Sequence, residues 1–285
     1  VTAFVDRSGT QLAGAEISLR LLLRHLDRDR VAPLFGGPAA GPFPDRLAQD
    51  GPPLHAMRVG PLRAAPRLLR SVVRLRALIR AHRGDLLHAN GPQTNVPAGL
   101  AGRLARIPVV WHARNLLYGR MLDVDRRLSG LASRILCNSD AIRERFRGSP
   151  AWDKSVTIPT GVDTGEFTPA NPREPFRDSL GVPPPEPLVG LVGRIGLGKG
   201  HDVFVEAAVQ LLRAGCSATF VVVGDALFPE DAWRMDALRG RIREAGCQDR
   251  IRLTGFRTDM PSVMRGLDVL ALASVNGIVQ AFDTP

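Results

Sequence analysis

The chain reads as α/β, with two Rossmann-like doubly wound domains joined by a proline-rich stretch. Three observations predict this. Short apolar runs alternate with amphipathic segments, the rhythm of successive βα units on a parallel sheet. A stretch holding Pro169, Pro172, Pro175, Pro183, Pro184, Pro185 and Pro187 interrupts that rhythm, which restarts beyond it. At 285 residues and 44% hydrophobic composition the chain can bury two cores.

The elements follow in order. Residues 2–5 form a first apolar strand, and 16–26 carry the apolar spacing of a helix. Residues 54–59 form the next apolar run. Residues 66–82 form a helix with Leu68, Val72, Leu75 and Ile79 on one stripe and Arg67, Arg70 and Arg74 opposite. Residues 86–88 lead into 95–106, then 109–111 into a helix over 122–133, and 135–137 into a helix over 139–147. Val156-Thr157-Ile158-Pro159 closes this half, which spans 1–161. Residues 162–187 form a linker whose prolines continue neither helix nor strand. The second half, 188–285, repeats the pattern with strands at 188–192, 220–223, 251–253 and 269–272. Its helices run over 202–213, 231–244 and 260–265. In sheets of this kind ligands sit at the carboxyl ends of the strands, here with a cleft between the two domains.

Charge is unevenly placed. The formal net charge is +10; residues 1–165 hold 25 basic and 13 acidic side chains, and residues 166–285 hold 13 and 15. The first half is therefore suited to an anionic partner, whether a membrane surface, a nucleic acid or a phosphorylated substrate. The basic face of the 66–82 helix fits peripheral contact with anionic lipid, and the opposite, ordinary reading is a surface helix burying its stripe on the sheet. Aromatics are only 5% of the chain, too few for the stacking that single-stranded nucleic acid needs, so no nucleic acid is expected. Cys137, Cys216 and Cys247 are odd in number and widely spaced, which excludes a disulfide frame or a zinc site and fits a reducing, cytoplasmic setting. No run approaches a membrane span and no signal peptide opens the sequence, so a soluble or peripheral protein is expected.

The most informative segment is Val192-Gly193-Arg194-Ile195-Gly196-Leu197-Gly198-Lys199-Gly200. A strand runs into a glycine-rich turn with one Arg and one Lys, and a helix follows. Free N–H groups, the positive helix end and two cations should converge there on a phosphate, best a diphosphate. Only two of the 38 basic residues are lysines, Lys154 and Lys199. Gly193-x4-Gly198-Lys199 fits most of a P-loop signature, but Gly200 stands where the magnesium-binding Ser or Thr belongs. A dinucleotide fingerprint fails at His201. The bland alternative is a flexible βα turn with incidental charges.

Several segments then read together: Leu12-Ala13-Gly14-Ala15-Glu16, Asp85-Leu86-Leu87-His88-Ala89-Asn90, Val109-Val110-Trp111-His112-Ala113-Arg114 and Cys137-Asn138-Ser139. With them go Ile158-Pro159-Thr160-Gly161-Val162-Asp163, the Arg194 to Lys199 turn, Phe220-Val221-Val222-Val223-Gly224-Asp225 and Leu253-Thr254-Gly255-Phe256. In this order they resemble the family-4 retaining glycosyltransferases of the GT-B architecture. The resemblance implies transfer of a sugar from a nucleoside-diphosphate donor, without metal or cofactor, to a saccharide or lipid-linked acceptor. It implies an acceptor-side first domain and a nucleotide-sugar-binding second domain. It places Gly14 on donor and acceptor, with Glu16 on the acceptor side. Arg194 and Lys199 fall on the donor diphosphate, beside Gly193, Gly224, Gly255 and Phe256. His112 becomes a catalytic, cleft-facing group on the acceptor side, joined in catalysis by Arg194 and Lys199. His88 is read as structural. Asp27-Arg28-Asp29 and Asp123-Val124-Asp125 mimic the manganese motif of another glycosyltransferase fold, but they read as solvated helix ends.

The match breaks in places. Ala13 replaces a usual glycine, and Thr160 a usual Asn. The family's paired glutamates are missing, since no Glu follows Glu244. The second domain is thus expected to be incomplete, with residues 269–272 left as a bare parallel edge that favours association. A chain that binds nucleotide or a partner without transfer is the competing expectation.

Overall fold

The computed structural model describes residues 1–5, 14–60, 64–115, 122–196, 198–227 and 229–274. The expectations for Leu12, Ala13, Leu197 and residues 275–285 lie outside the described residues. The chain divides into two compact units between Val162 and Asp163.

The first unit is built on strands β1 (Thr2–Val5), β2 (Pro33–Gly37), β3 (Leu54–Ala56), β4 (Leu86–Ala89), β5 (Val109–Ala113), β6 (Arg134–Cys137) and β7 (Ser155–Thr157). They pair in the order β3-β2-β1-β4-β5-β6-β7, every pair parallel. The connecting helices are α1 (Gly14–His25), α2 (Pro42–Gln49), α3 (Ala65–Ala81), α4 (Pro92–Ala105), α5 (Val124–Arg127) and α6 (Asp140–Arg143). Alternation along β2 sends Leu34 and Phe35 into different cores. Phe35 packs with Phe4, Leu19, Leu23, Phe43 and Leu47, while Leu34 joins Val72, Leu75, Ile79, Leu87, Val109 and Trp111. Each such side chain contributes about 1.5–3 kcal/mol by leaving water. The stripe expected on α3 is the face that packs: Val72, Leu75 and Ile79 are buried, with Leu68 partly so.

Because β2 and β4 lie on opposite sides of β1, the chain reverses direction across the sheet between β1 and β4. That switch point is where such sheets bind ligands, beyond the strands' carboxyl ends.

The second unit has β8 (Leu188–Val192), β9 (Thr219–Val223), β10 (Ile251–Leu253) and β11 (Val269–Leu270), in the order β10-β9-β8-β11 and again all parallel. Its helices are α7 (Glu174–Leu180), α8 (His201–Arg213), α9 (Ala232–Glu244) and α10 (Met260–Gly266). On α8, Phe204, Val205, Ala208 and Val209 are buried at helical spacing against Leu191, Phe220 and Val222. Here the switch point falls between β8 and β11. Among the described residues β11 is an edge strand, and Val269, Leu270 and Leu272 are exposed.

Three expectations need correcting. The proposed linker of 162–187 contains α7, with Pro175 in its first turn, where proline has no hydrogen bond to lose. Phe176 and Val182 pack with Leu188, Val221 and Val263, so this segment belongs to the second unit. Arg177 is buried and donates to Gly266 O at 3.2 Å and to Asp268 at 3.0 Å, while Asp268 also accepts from Leu188 N at 2.8 Å and from Arg173. Residues 30–53, to which the sequence pattern assigns no element, supply β2 and α2. The helices expected over 122–133 and 139–147 are each one short α-turn followed by a 3₁₀ turn, at Ser129–Leu131 and Glu144–Phe146.

Candidate active site

In the first unit the polar groups gather just beyond β4 and β5. His112 is in β5, Arg114 one residue past its end, and Asn90 one residue past β4. Arg114 is 3% exposed; its Nε and Nη2 donate to Asn90 Oδ1 at 3.1 and 2.7 Å, and Nη2 also donates to His112 Nδ1 at 3.0 Å. Asn90 Nδ2 in turn donates to Ala15 O at 3.2 Å, tying the first turn of α1 to this group. Gly14 and Glu16 lie on that turn, Gly14 exposed and Glu16 buried. The structure thus ties the turn that carries Gly14 and Glu16 to His112 through Ala15, Asn90 and Arg114, the last two having no role in the sequence reading.

This wiring decides the state of His112. A guanidinium can only donate, so Nδ1 is the acceptor and the proton of the neutral ring sits on Nε2. Burial, reinforced by the Arg114 charge and by His88, pushes its pKa down to about 2. Nε2 is buried without a hydrogen-bond partner among the described residues. His112 is therefore a neutral donor and not a proton-carrying acid near pH 7. His88, whose ring centroid lies 5.7 Å away, is lowered to about 3, again by burial first and Arg114 second.

The second unit assembles its group at the carboxyl ends of β8, β9 and β10. Gly193 N donates to Val223 O at 2.9 Å, and Gly224 N donates to Gly255 O at 2.9 Å. Gly224 has φ 148°, and a Cβ there would lie 1.9 Å from Gly193 O, so only glycine lets the strand ends approach. Gly193, Gly224 and Gly255 are thereby brought together, with Phe256 exposed beside them. Arg194 and Lys199 stand on the turn between β8 and α8, both half-buried. Arg194 Nη1 donates to Asp231 Oδ2 at 2.9 Å. His201, the first residue of α8, is buried with Nε2 3.4 Å from Gly193 O; burial lowers its pKa to about 4.

Two local readings change. The turn was expected to offer free N–H groups, yet those of Gly193, Ile195 and Lys199 donate to Val223 O, Asp225 O and Gly196 O. Any attraction of the turn for an anion would fall more heavily on its side chains. Asp125 is not solvated: it is buried, accepts from Asn95 at 3.2 Å and lies 3.6 Å from Arg145, which also holds Asp123 at 2.9 Å. Burial raises its pKa. Asp123 caps α5 through Arg126 N at 2.9 Å. Asp27 instead accepts from Asp29 N in an exposed turn.

Two residues that the sequence motifs contain without a role share one signal. Asn90 and Arg114 are polar groups immediately past apolar strands, at the positions where doubly wound sheets place ligand contacts. Asp231 and its partner Arg234 had no such signal, since they open a helix far along the chain from Arg194.

Residues 12–166 match Glycosyltransferase Family 4 and residues 186–282 match Glycosyl transferases group 1. A 2-deoxystreptamine glucosyltransferase from Streptomyces kanamyceticus is 38% identical over 214 residues, 67% of this chain and 53% of that protein. The Escherichia coli UDP-Gal:alpha-D-GlcNAc-diphosphoundecaprenol alpha-1,3-galactosyltransferase is 25% identical over 229 residues, 73% of this chain and 56% of that one. Among solved structures, Anabaena HepE in complex with UDP and glucose superposes with a TM-score of 0.79 at 27% identity, over 97% of this chain and 75% of that one. The chain spans about half the length of the curated relatives it matches. Two parallel α/β units, the turn bearing Arg194 and Lys199, and a family match over more than half the sequence place this chain in Glycosyltransferase Family 4, with the GT-B fold.

Proposed function

We propose that the chain supplies donor- and acceptor-side groups for a retaining, metal-independent transfer of a sugar from a nucleoside diphosphate to a saccharide or lipid-linked acceptor. The observation that carries the reading is the β8–α8 turn, which sets Arg194 and Lys199 at the switch point beside Gly193 and Gly224. As the anomeric C–O bond breaks, its electron pair goes to the diphosphate oxygen. Fixed cations there favour the transition state over the ground state, and they supply the charge a metal would otherwise bring. The acceptor hydroxyl forms the new bond on the same face of the sugar and loses its proton to the departing diphosphate. His112, with a pKa near 2, is too weak a base for that proton, and Nε2–H serves as a hydrogen-bond donor to a sugar hydroxyl. HepE was solved with UDP and glucose, which makes UDP-sugars the first donors to try.

A finer proposal concerns the acceptor. On α3, Arg67, Arg70, Arg74 and Arg80 are exposed beside exposed Leu69 and Val73, and the helix carries no acidic residue. This face suits anionic lipid, where a lipid-linked acceptor would reside. Among the described residues no helix is long and apolar enough to cross a membrane.

The test is isothermal titration with UDP, GDP and ADP and their sugars, on the wild type and Arg194→Ala, followed by product analysis. Binding that Arg194→Ala weakens, and a product that keeps the donor's anomeric configuration in the presence of a chelator, support the proposal. Binding indifferent to Arg194, an inverted product or loss of activity on chelation would each remove the corresponding part. Binding with no product from any acceptor would favour the nucleotide-binding alternative.

A further inference from the structure

Asp231 stands at the N-cap position of α9, where a carboxylate ordinarily accepts backbone N–H groups of the first turn. Here it makes no such capping bond. Its two oxygens go to two arginines instead: Oδ2 accepts from Arg194 Nη1 at 2.9 Å and Oδ1 from Arg234 Nε at 3.0 Å. With the oxygens only two C–O bonds apart, the bonded nitrogens of the two guanidinium groups lie within about 8 Å of each other. The carboxylate is 10% exposed, whereas Arg194 and Arg234 remain 27% and 29% exposed. The anion is buried beneath and the cations reach solvent above it.

The turn itself makes room for this arrangement. A Cβ on Gly196 would fall 2.3 Å from Arg194 Nη1 and 3.1 Å from Asp231 Oδ2. The pair therefore lies directly over the glycine-rich backbone that precedes Lys199. Arg194, Lys199 and Arg234 against Asp231 give these four groups a net charge of +2, which matches the two or more negative charges of a nucleoside diphosphate. A planar guanidinium bonded at one edge has the direction of its other N–H groups set as well.

We propose that Arg234 is a third cation of the diphosphate site, and that Asp231 is the positioning residue that bridges it to Arg194. This rests on the reading of the β8–α8 turn as a diphosphate site. Trp233, whose ring centroid is 4.5 Å from the Arg234 guanidinium carbon, keeps that side chain over the start of α9.

The experiment titrates the full chain with UDP and GDP, each beside its monophosphate. Arg234→Gln is expected to weaken diphosphate binding about tenfold, and monophosphate binding far less, because charge-assisted bonds to the second phosphate are lost. Arg234→Lys should recover part of that loss. Asp231→Asn should weaken the diphosphate similarly, with Asp231→Glu recovering part. The double variant Arg234→Gln with Asp231→Asn should be no weaker than either single change, because the two act as one unit. Thermal melts alongside separate loss of binding from loss of fold, and Arg234→Lys serves if the Gln variant melts early. If Arg194→Ala weakens the diphosphate while Arg234→Gln does not, the inference fails and the reading of the turn stands. If neither variant changes binding, or the wild type binds neither diphosphate, the reading fails and the inference with it. Tighter binding in Asp231→Asn would also overturn the bridging role, since Asp231 would then be competing with the anion.

Discussion

At the strand ends of the first unit His88, Asn90, His112 and Arg114 are deeply buried, and the two histidines are held neutral. Arg114 leans on an amide oxygen and an imidazole nitrogen, and His88 and His112 stay uncharged. At the corresponding place in the second unit, Arg194 and Arg234 remain a quarter exposed around a shared carboxylate, with Lys199 half-buried nearby. Both groups occupy the switch point of a parallel sheet, so topology alone does not distinguish them. Solvation does. Neutral donors in a dry setting discriminate hydroxyl groups by geometry, while partly solvated cations attract charge and are weakened by salt. In the proposed reaction the first suits a sugar and the second a diphosphate.

The comparison breaks most visibly at Arg194. Arg194→Ala is expected to lower turnover by about 10²–10³, the ~2.7–4 kcal/mol typical of a lost charge-stabilising donor. Steady-state kinetics would read it, and the wild-type KM for donor should rise with salt. A salt-independent KM would remove the distinction drawn between the two units.

Next in size is Gly224→Ala, which forces a side chain toward Gly193 O from a φ of 148°. A loss of about 3 kcal/mol is expected in urea denaturation. A change below about 1 kcal/mol would mean that the strand ends of the second unit yield easily.

The pH dependence of stability tests the neutral side of the comparison. Unfolded histidine titrates near 6.5, whereas His88, His112 and His201 titrate near 3, 2 and 4 in the folded chain. Between pH 6.5 and 4 the unfolded chain binds protons that the folded chain does not. The stability these residues confer is therefore complete above pH 6.5 and is lost as pH falls toward each folded value, about 4 for His201, 3 for His88 and 2 for His112. Each can account for up to about 1.4 kcal/mol per pH unit. Denaturant midpoints measured at successive pH values would show it, and a flat profile would mean that these rings become protonated in place.

The smallest effect is expected at His112. Its replacement by Ala should cost about tenfold in turnover, the worth of one buried hydrogen bond, with Gln recovering part because it keeps an N–H donor. A loss as large as that at Arg194, or a new acid limb in the rate profile, would give His112 a charged role.

Much of this was legible in the sequence because β8 and β9 are unbroken apolar runs and the turn after β8 concentrates glycine and charge. The segment Pro33-Leu34-Phe35-Gly36-Gly37 was not, since a proline and two glycines read as loop. Only pairing with β1 and β3 on both sides makes it a strand. The prolines near α7 misled for a related reason, because proline is tolerated in the first turn of a helix. His112, Arg194 and Lys199 could be named from their neighbours in the chain, but the tautomer of His112 depends on Arg114 and Asn90 meeting across two strands. Asp231 was invisible for the same reason: local sequence carries no record of a bond to a residue 37 positions away.

Gly200 has φ 69°, and a Cβ there would fall 1.6 Å from Ala273 O. The peptide that leaves β11 thus forms a wall of the turn that presents Lys199. A displacement of that exit peptide would press on Gly200, the residue after Lys199. An isotope label on the Ala273 carbonyl would accordingly report on any rearrangement of that turn.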